Sequence, residues 1–339
     1  MKILLLNFYQ SPENFHFEQA MTRNINKLKN INLDIAHNFN FDFSPLASTK
    51  NLKGIRKHFS QIKSNKNYDA VISIDFPWKM DSSNPVYVKL IKSARKKIMI
   101  MNHLTPSDKD SPFYEYLKKR DFFLIFDAFY FYAFDSCALL PDLKKNAIRF
   151  RNYYIDSLYY SPSKKCEFSE NITFFIAGSK ERNFDVIEKI LKLDKRIKVL
   201  IMSNSQIKIP SNYKKRALLL NLNENIFKIK ENIEKSDIVF IPINDASLNP
   251  TAGMAVCFMG MSMEKPVLMK SRKWIKDYLI HKKNGYLYKS INEIEKNIKT
   301  VLNDKKNWLK IGEEARKTIL KKASLDNFVL QILKENLSL

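Results

Sequence analysis

The chain has 339 residues, more than one ordinary core accommodates and enough for two domains. Its hydrophobic content of 45% and aromatic content of 12% exclude a disordered chain. With 58 Lys and Arg against 35 Asp and Glu, the net charge is +23, a field that attracts polyanions: nucleic acid, anionic lipid or phosphorylated small molecules.

Strands and helices alternate from the start. Residues 2–8 read as a strand and 17–28 as a helix with apolar positions at helical spacing. Residues 69–74 (DAVISI) form a short apolar run, suited to a parallel strand buried on both faces. Residues 87–94 read as helix and 97–101 (KIMIM) as the next strand, ending at Asn102 and His103. Residues 122–134 (FFLIFDAFYFYAF) are the most apolar stretch; they are too short to span a bilayer, contain Asp127, and read as buried strand or helix.

The pattern restarts after a polar stretch at 161–171 (SPSKKCEFSEN). Strands are expected at 172–177, 197–202, 217–222, 238–243 and 267–269, and helices at 185–193, 225–235 and 251–263. Two amphipathic, Lys-rich helices follow near 291–302 and 308–323. This rhythm implies α/β architecture with doubly wound sheets, whose ligands gather at the carboxyl ends of strands.

Cys137, Cys166 and Cys257 are too few and scattered for a disulfide framework, and the five His show no metal-ligand spacing. The start, MKILLLNFYQ, fits a first core strand better than a secretory signal, so the expected location is the cytoplasm.

Several short motifs occur in a meaningful order. Residues 149–162 carry Asn152, Asp156, Tyr160 and Pro162; residues 237–242 carry Asp237 and Pro242; then come Lys265-Pro266-Val267, Asn284-Gly285 and Ile311–Arg316 (IGEEAR). Together they resemble the GT-B glycosyltransferase superfamily, in its retaining group-1, family-4-like form. The resemblance implies two Rossmann-like domains facing a central cleft. It implies an N-terminal acceptor domain at 1–160, a nucleotide-sugar domain at 161–322, and a C-terminal helix at 323–339 that packs back on the first domain.

The resemblance also implies roles for particular residues. The leaving group of such an enzyme is a nucleoside diphosphate, and its growing charge is met by Lys, Arg and helix N-termini when no metal is used. Gly178, Lys180 and Arg182, in the loop after the 172–177 strand, would contact the donor phosphates, with Arg182 the better candidate because its planar fork binds phosphate bidentately. Thr251 and Gly253 would present a helix N-terminus to the diphosphate. Asn249, Asp245 and Ala252 would lie beside the donor sugar or nucleotide. His103 and Asp75, at strand ends of the first domain, are the catalytic or acceptor-side candidates.

The family's Glu-x7-Glu pair is missing: its positions fall at Thr251 and Met259. Glu264 stands where the family has Gly before Lys-Pro-Val.

The expected function is a metal-independent, retaining, hexosyltransferase-like enzyme. It would move a sugar from a nucleotide-sugar donor to a cell-surface glycan, a lipid-linked acceptor or a protein. No cofactor is expected. The alternative is a catalytically inactive GT-B-like subunit, or a carbohydrate-binding partner of another glycosyltransferase. An anionic membrane surface is the preferred polyanionic partner, with Lys118, Lys119 and Arg120 as contacts, since each nearby basic residue adds about 1 kcal/mol. Nucleic acid is disfavoured because no zinc-finger, helix-turn-helix or RRM signature occurs.

Overall fold

Short, continuous apolar runs form parallel strands because both faces of each must be covered. A computed structural model describes residues 1–7, 12–37, 56–58, 62, 67–75, 84–101, 115, 122–131, 147–150, 153–164, 170–179, 181–245, 247 and 252–337. The chain divides into two compact units: Met1–Asp156 with Leu325–Leu339, and Ser157–Ser324.

The first unit holds a seven-stranded sheet in the order β3-β2-β1-β4-β5-β6-β7. Its strands are β1 (Lys2–Asn7), β2 (Asn32–His37), β3 (Arg56–His58), β4 (Ala70–Ile74), β5 (Lys96–Met101), β6 (Ala128–Phe131) and β7 (Ile148–Phe150). Every pairing is parallel. Helices α1 (Pro12–Ile25) and α2 (Asn84–Ser93) alternate with these strands. The order reverses direction between β1 and β4.

The apolar 122–134 run resolves into a short 3-10 turn, Phe122–Ile125, and then β6. Asp127 separates them, and its carboxylate accepts the Lys97 backbone N–H at 2.7 Å.

The last helix of the chain, α8 (Leu325–Leu337), belongs to this first unit. Its Leu325, Phe328, Val329, Ile332 and Leu333 share a core with Phe17 and Met21 of α1. A charge cluster holds the two places where the chain leaves and re-enters the unit. Arg23 of α1 donates to Asp326 (2.8 and 3.1 Å) and to both oxygens of Asp156 (3.2 Å each). Asn24 adds a bond to Asp326 at 2.9 Å, and the Leu325 N–H reaches the Ile155 carbonyl at 3.0 Å. The Asp156 side chain is fully buried, so its charge depends on Arg23 and the nearby His16.

The second unit holds a six-stranded sheet, β10-β9-β8-β11-β12-β13, again all parallel. The strands are β8 (Ile172–Ala177), β9 (Ile197–Met202), β10 (Ala217–Leu220), β11 (Ile238–Ile241), β12 (Val267–Lys270) and β13 (Tyr286–Tyr288). The helices are α3 (Val186–Leu193), α4 (Ile229–Glu234), α5 (Met254–Ser262), α6 (Ile291–Asn303) and α7 (Lys305–Lys322). Here the order reverses between β8 and β11, where the carboxyl ends of neighbouring strands leave a crevice for a ligand.

The motif residues hold this unit together. Asp237 accepts the Thr173 N–H at 2.7 Å, joining β8 to β11. Lys265 is buried and donates to the Glu234 carbonyl. Arg316 donates to the carbonyls of Tyr160 and Ser262 and lies beside Glu264. Glu264 has φ of 57°, a left-handed backbone, which is the physical reason glycine suits that position. Gly312 packs so closely that a Cβ there would sit 2.0 Å from the Glu264 carbonyl oxygen. Asn284 ties its own turn, accepting from Ile280 N–H and donating to the Tyr278 carbonyl.

Replacing Arg23 with Met leaves the buried Asp156 carboxylate without its main countercharge. Denaturant unfolding will show a loss of about 3–5 kcal/mol. A loss below about 1 kcal/mol would mean that the cluster does not hold the chain crossings.

Candidate functional site

The site forms where β8 and β11 end. Residue 178 has φ of 113°, reachable without strain only by glycine, and the chain turns there directly out of β8. The turn brings Arg182 back over Gly178: its Nε donates to the Ala177 carbonyl at 2.9 Å. A Cβ on residue 178 would lie 2.8 Å from an Arg182 Nη, so the guanidinium occupies the space that the missing side chain leaves. The backbone of Arg182 also bridges Ile243, just beyond β11. Two hydrogen bonds make that bridge, Asn183 N–H to Pro242 carbonyl at 2.8 Å and Asn244 N–H to Glu181 carbonyl at 3.0 Å.

Burial pushes the Arg182 pKa down to about 10, against the raising influence of Tyr288 and Glu181. The group is still cationic at neutral pH, and partial desolvation strengthens its pull on an anion.

Ile243 links this cation to α5. Gly253 caps α5 with φ of 83°, and a Cβ on it would meet Ile241 at 2.6 Å, Ile243 at 3.2 Å and Met269 at 3.3 Å. Glycine is therefore required both for the left-handed turn and for close seating on β11 and β12. Residue 253 cannot be helical, so the helix begins at Met254 rather than at residue 251. Its first N–H groups lack intrahelical partners, as at any helix start, and give this end a partial positive charge. Ala252 is buried beside them.

Asp245 is exposed and pairs with Lys270, the last residue of β12. Lys270 and the nearby Arg272 add positive charge at the same edge, and burial followed by Arg272 lowers the Lys270 pKa. Neither cation was expected from the sequence. The available signal was two basic residues at the end of an apolar strand.

A hydrogen-bond chain runs from this loop to β9 and β10. The Ser179 hydroxyl accepts from the Asn204 N–H at 2.6 Å and from Ser203 at 3.3 Å, and Asn204 in turn binds Asn223 and the Leu222 N–H. A cavity of about 200 Å³ opens there, lined among others by Ile201, Ser203, Asn204, Leu220 and Asn221. Its lining mixes the apolar Ile201, Ile207 and Leu219 with the polar Ser203, Asn204 and Asn221.

The structure thus brings Gly178, Arg182, Ala252 and Gly253 to one edge of the second sheet, with Asp245 beside Lys270. Lys180, Asn249, Thr251 and His103 lie outside the described residues. Met259, at the second position of the expected acidic pair, is buried within α5.

Asp75 directly follows β4 of the first unit, fully buried, with φ of 55°. Its N–H donates to the Ile100 carbonyl at 2.8 Å, and its carbonyl accepts the Ser73 hydroxyl at 2.8 Å. Asp is one of the few non-glycine residues that adopt this left-handed backbone readily. Burial pushes the nearby Tyr87 hydroxyl pKa up, and Asp75's charge adds to that. At the end of neighbouring β1 lies a buried group the sequence reading passed over: Asn14 donates to Asn7, and Asn7 to the carboxylate of Glu18. Among the described residues, no group of three or more His, Cys, Asp and Glu side chains could hold a metal ion, and no helix is long and apolar enough to cross a membrane.

The chain has the GT-B fold, the architecture of a large group of glycosyltransferases. HepE of Anabaena, solved with UDP and glucose, matches over 100% of both chains with a TM-score of 0.66 at 13% identity. Sucrose-phosphate synthase from Thermosynechococcus elongatus matches over 99% of this chain and 98% of its own, with a TM-score of 0.63 at 11% identity. A T4 phage BGT mutant in complex with UDP-glucose matches over 100% of each, with a TM-score of 0.60 at 13% identity. No protein-family model and no curated sequence matches the chain.

Gly178→Ala tests the seat of the cation. The new methyl must displace the guanidinium and strain the turn, so any nucleotide affinity that titration calorimetry finds in the wild type will fall about tenfold in the variant while the second unit stays folded. Unchanged affinity would detach Arg182 from ligand binding.

Proposed function

We propose that this chain is a glycosyltransferase that moves a sugar from a nucleotide-sugar donor to a glycan, a lipid-linked acceptor or a protein. The observation that carries the reading is Arg182, held over Gly178 at the reversal point of the second sheet and tied through Ile243 to the capped start of α5. A diphosphate in that crevice meets a guanidinium fork on one side and free backbone N–H groups on the other. Lys270 adds charge at the rim. These groups stabilise the negative charge that grows on the leaving diphosphate as the glycosidic bond breaks, the task a metal performs elsewhere. The cavity at Asn204 and Asn221 takes the base. The neighbours solved with UDP or UDP-glucose make a uridine donor the first to test.

Asp75 and His103 are the acceptor-side or catalytic groups in this reading, and Lys180, Thr251, Asn249, Asp245 and Ala252 complete the donor side. Transfer with retention of configuration is proposed on the resemblance alone. Membrane contact through Lys118, Lys119 and Arg120 concerns residues outside those described.

A second reading has its own support. Met259 presents a buried thioether where relatives of this type carry an acidic residue, and a thioether is a weak acceptor for a ribose hydroxyl. On that reading the chain is a non-catalytic partner of another glycosyltransferase.

Thermal shift against UDP, GDP, CDP, ADP, dTDP and CMP separates the two. The glycosyltransferase reading predicts stabilisation by one nucleotide, about 2–3 kcal/mol at a hundredfold excess over Kd, lost in Arg182→Ala. It also predicts turnover of the matching nucleotide-sugar. Binding without turnover favours the partner reading, and no binding by any of the six contradicts a donor site.

A further inference from the structure

Residues 195–223 carry seven basic side chains and no Asp or Glu. Two of the seven are committed within the fold. Arg196 pairs with Asp194 at 2.7 Å, and Arg216 donates to the carbonyls of Leu191, Asp194 and Ile197 at the end of α3 and the start of β9. Lys198, Lys208, Lys214 and Lys215 are exposed and, among the described residues, enter no ion pair. Three of them, Lys198, Lys214 and Lys215, lie on the elements next to β10, the edge strand of the second sheet. That strand, ALLL, is short, which limits pairing along its edge, but it contains neither charge nor proline. Instead it exposes consecutive leucines, Leu218 at 54% and Leu219 at 44%. Leu219 faces the cavity described above. Leu218 pairs in register with Leu200, and alternation along β9 puts Lys198 on the same face. Lys214 and Lys215 lie on the 3-10 turn Ser211–Arg216 that leads straight into the strand.

We propose that this edge of the second unit docks on an anionic membrane surface, with Leu218 entering the interface and Lys198, Lys214 and Lys215 meeting lipid phosphates. A protruding aliphatic side chain beside exposed lysines complements a surface that is apolar beneath an anionic layer. A nucleic-acid backbone offers nothing for Leu218 to enter, and the patch carries no base-stacking platform; the one aromatic ring there, Tyr213, is covered by Arg216 at 5.2 Å. The proposal does not rest on the donor reading, because vesicle binding is measured without nucleotide.

The test is sedimentation of the full chain with vesicles of phosphatidylcholine alone, and with vesicles of phosphatidylcholine and phosphatidylglycerol in equal parts. The wild type binds the anionic vesicles and not the neutral ones. Each lysine contributes about fivefold in partition, so Lys214→Gln with Lys215→Gln weakens binding about 25-fold. Leu218→Ser weakens the fraction that survives high salt. Lys299→Gln with Lys310→Gln, the same charge change at exposed positions of α6 and α7, leaves binding within about threefold. All four positions are exposed, and unchanged melting curves confirm intact folding. Equal losses in the two lysine pairs would reduce the effect to net charge and overturn the proposal. So would absence of vesicle binding, or binding to a single-stranded oligonucleotide but not to vesicles.

Discussion

The second unit depends on a backbone bridge between residues 182 and 243. Parallel strands give a sheet no direct means of tying the loops at their carboxyl ends, because the chain always leaves through a crossover. Here the loop after β8 doubles back at Gly178, runs beside the chain leaving β11, and makes a bridge of two backbone hydrogen bonds to it. Without those links Arg182 would be a solvated surface charge. With them it is a fixed, partly desolvated cation, and the same Ile243 that bridges it also seats Gly253 at the head of α5. One pairing thus sets the separation between a side-chain cation and a helix start, the two groups an anion would use.

The strands legible from sequence were those with continuous apolar runs. Ile172–Ala177 and Ile197–Met202 have the expected bounds, and β1, β4, β5, β11 and β12 lie within a residue or two of them. The missed strands lack that run. In β2, Asp34 interrupts the sequence NLDIAH, yet Leu33, Ile35 and Ala36 are buried and Asp34 is engaged by the Tyr68 hydroxyl. β3, β7 and β13 have only three residues each, too few for a period. Helix α1 begins at Pro12, earlier than its apolar spacing suggested, because its first turns bury Asn14, His16 and Glu18 in hydrogen-bonded contacts. Residues 225–235 divide into a 3-10 turn and a short α4 rather than one helix.

Sequence motifs located the candidate site better than they explained it. Asp237, Lys265 and Arg316 stand out in the sequence, and each ties separate segments of the second unit together, while Asn284 ties its own turn. Gly178 and Arg182 stand out through the resemblance, as a Gly-containing loop with a basic residue after a strand. Lys270 and the bridge to Ile243 do not, since both arise where segments far apart in the chain meet. Sequence likewise gave no sign of the Arg23 cluster, whose partners lie 133 and 303 residues away.

A crystal structure of the chain with bound uridine diphosphate tests the account most directly. The account predicts phosphate oxygens within hydrogen-bond distance of the Arg182 guanidinium and of the first free N–H groups of α5, with the base in the cavity at Asn204 and Asn221. A diphosphate bound elsewhere, with Arg182 still folded over Gly178 and touching only the Ala177 carbonyl, would contradict it.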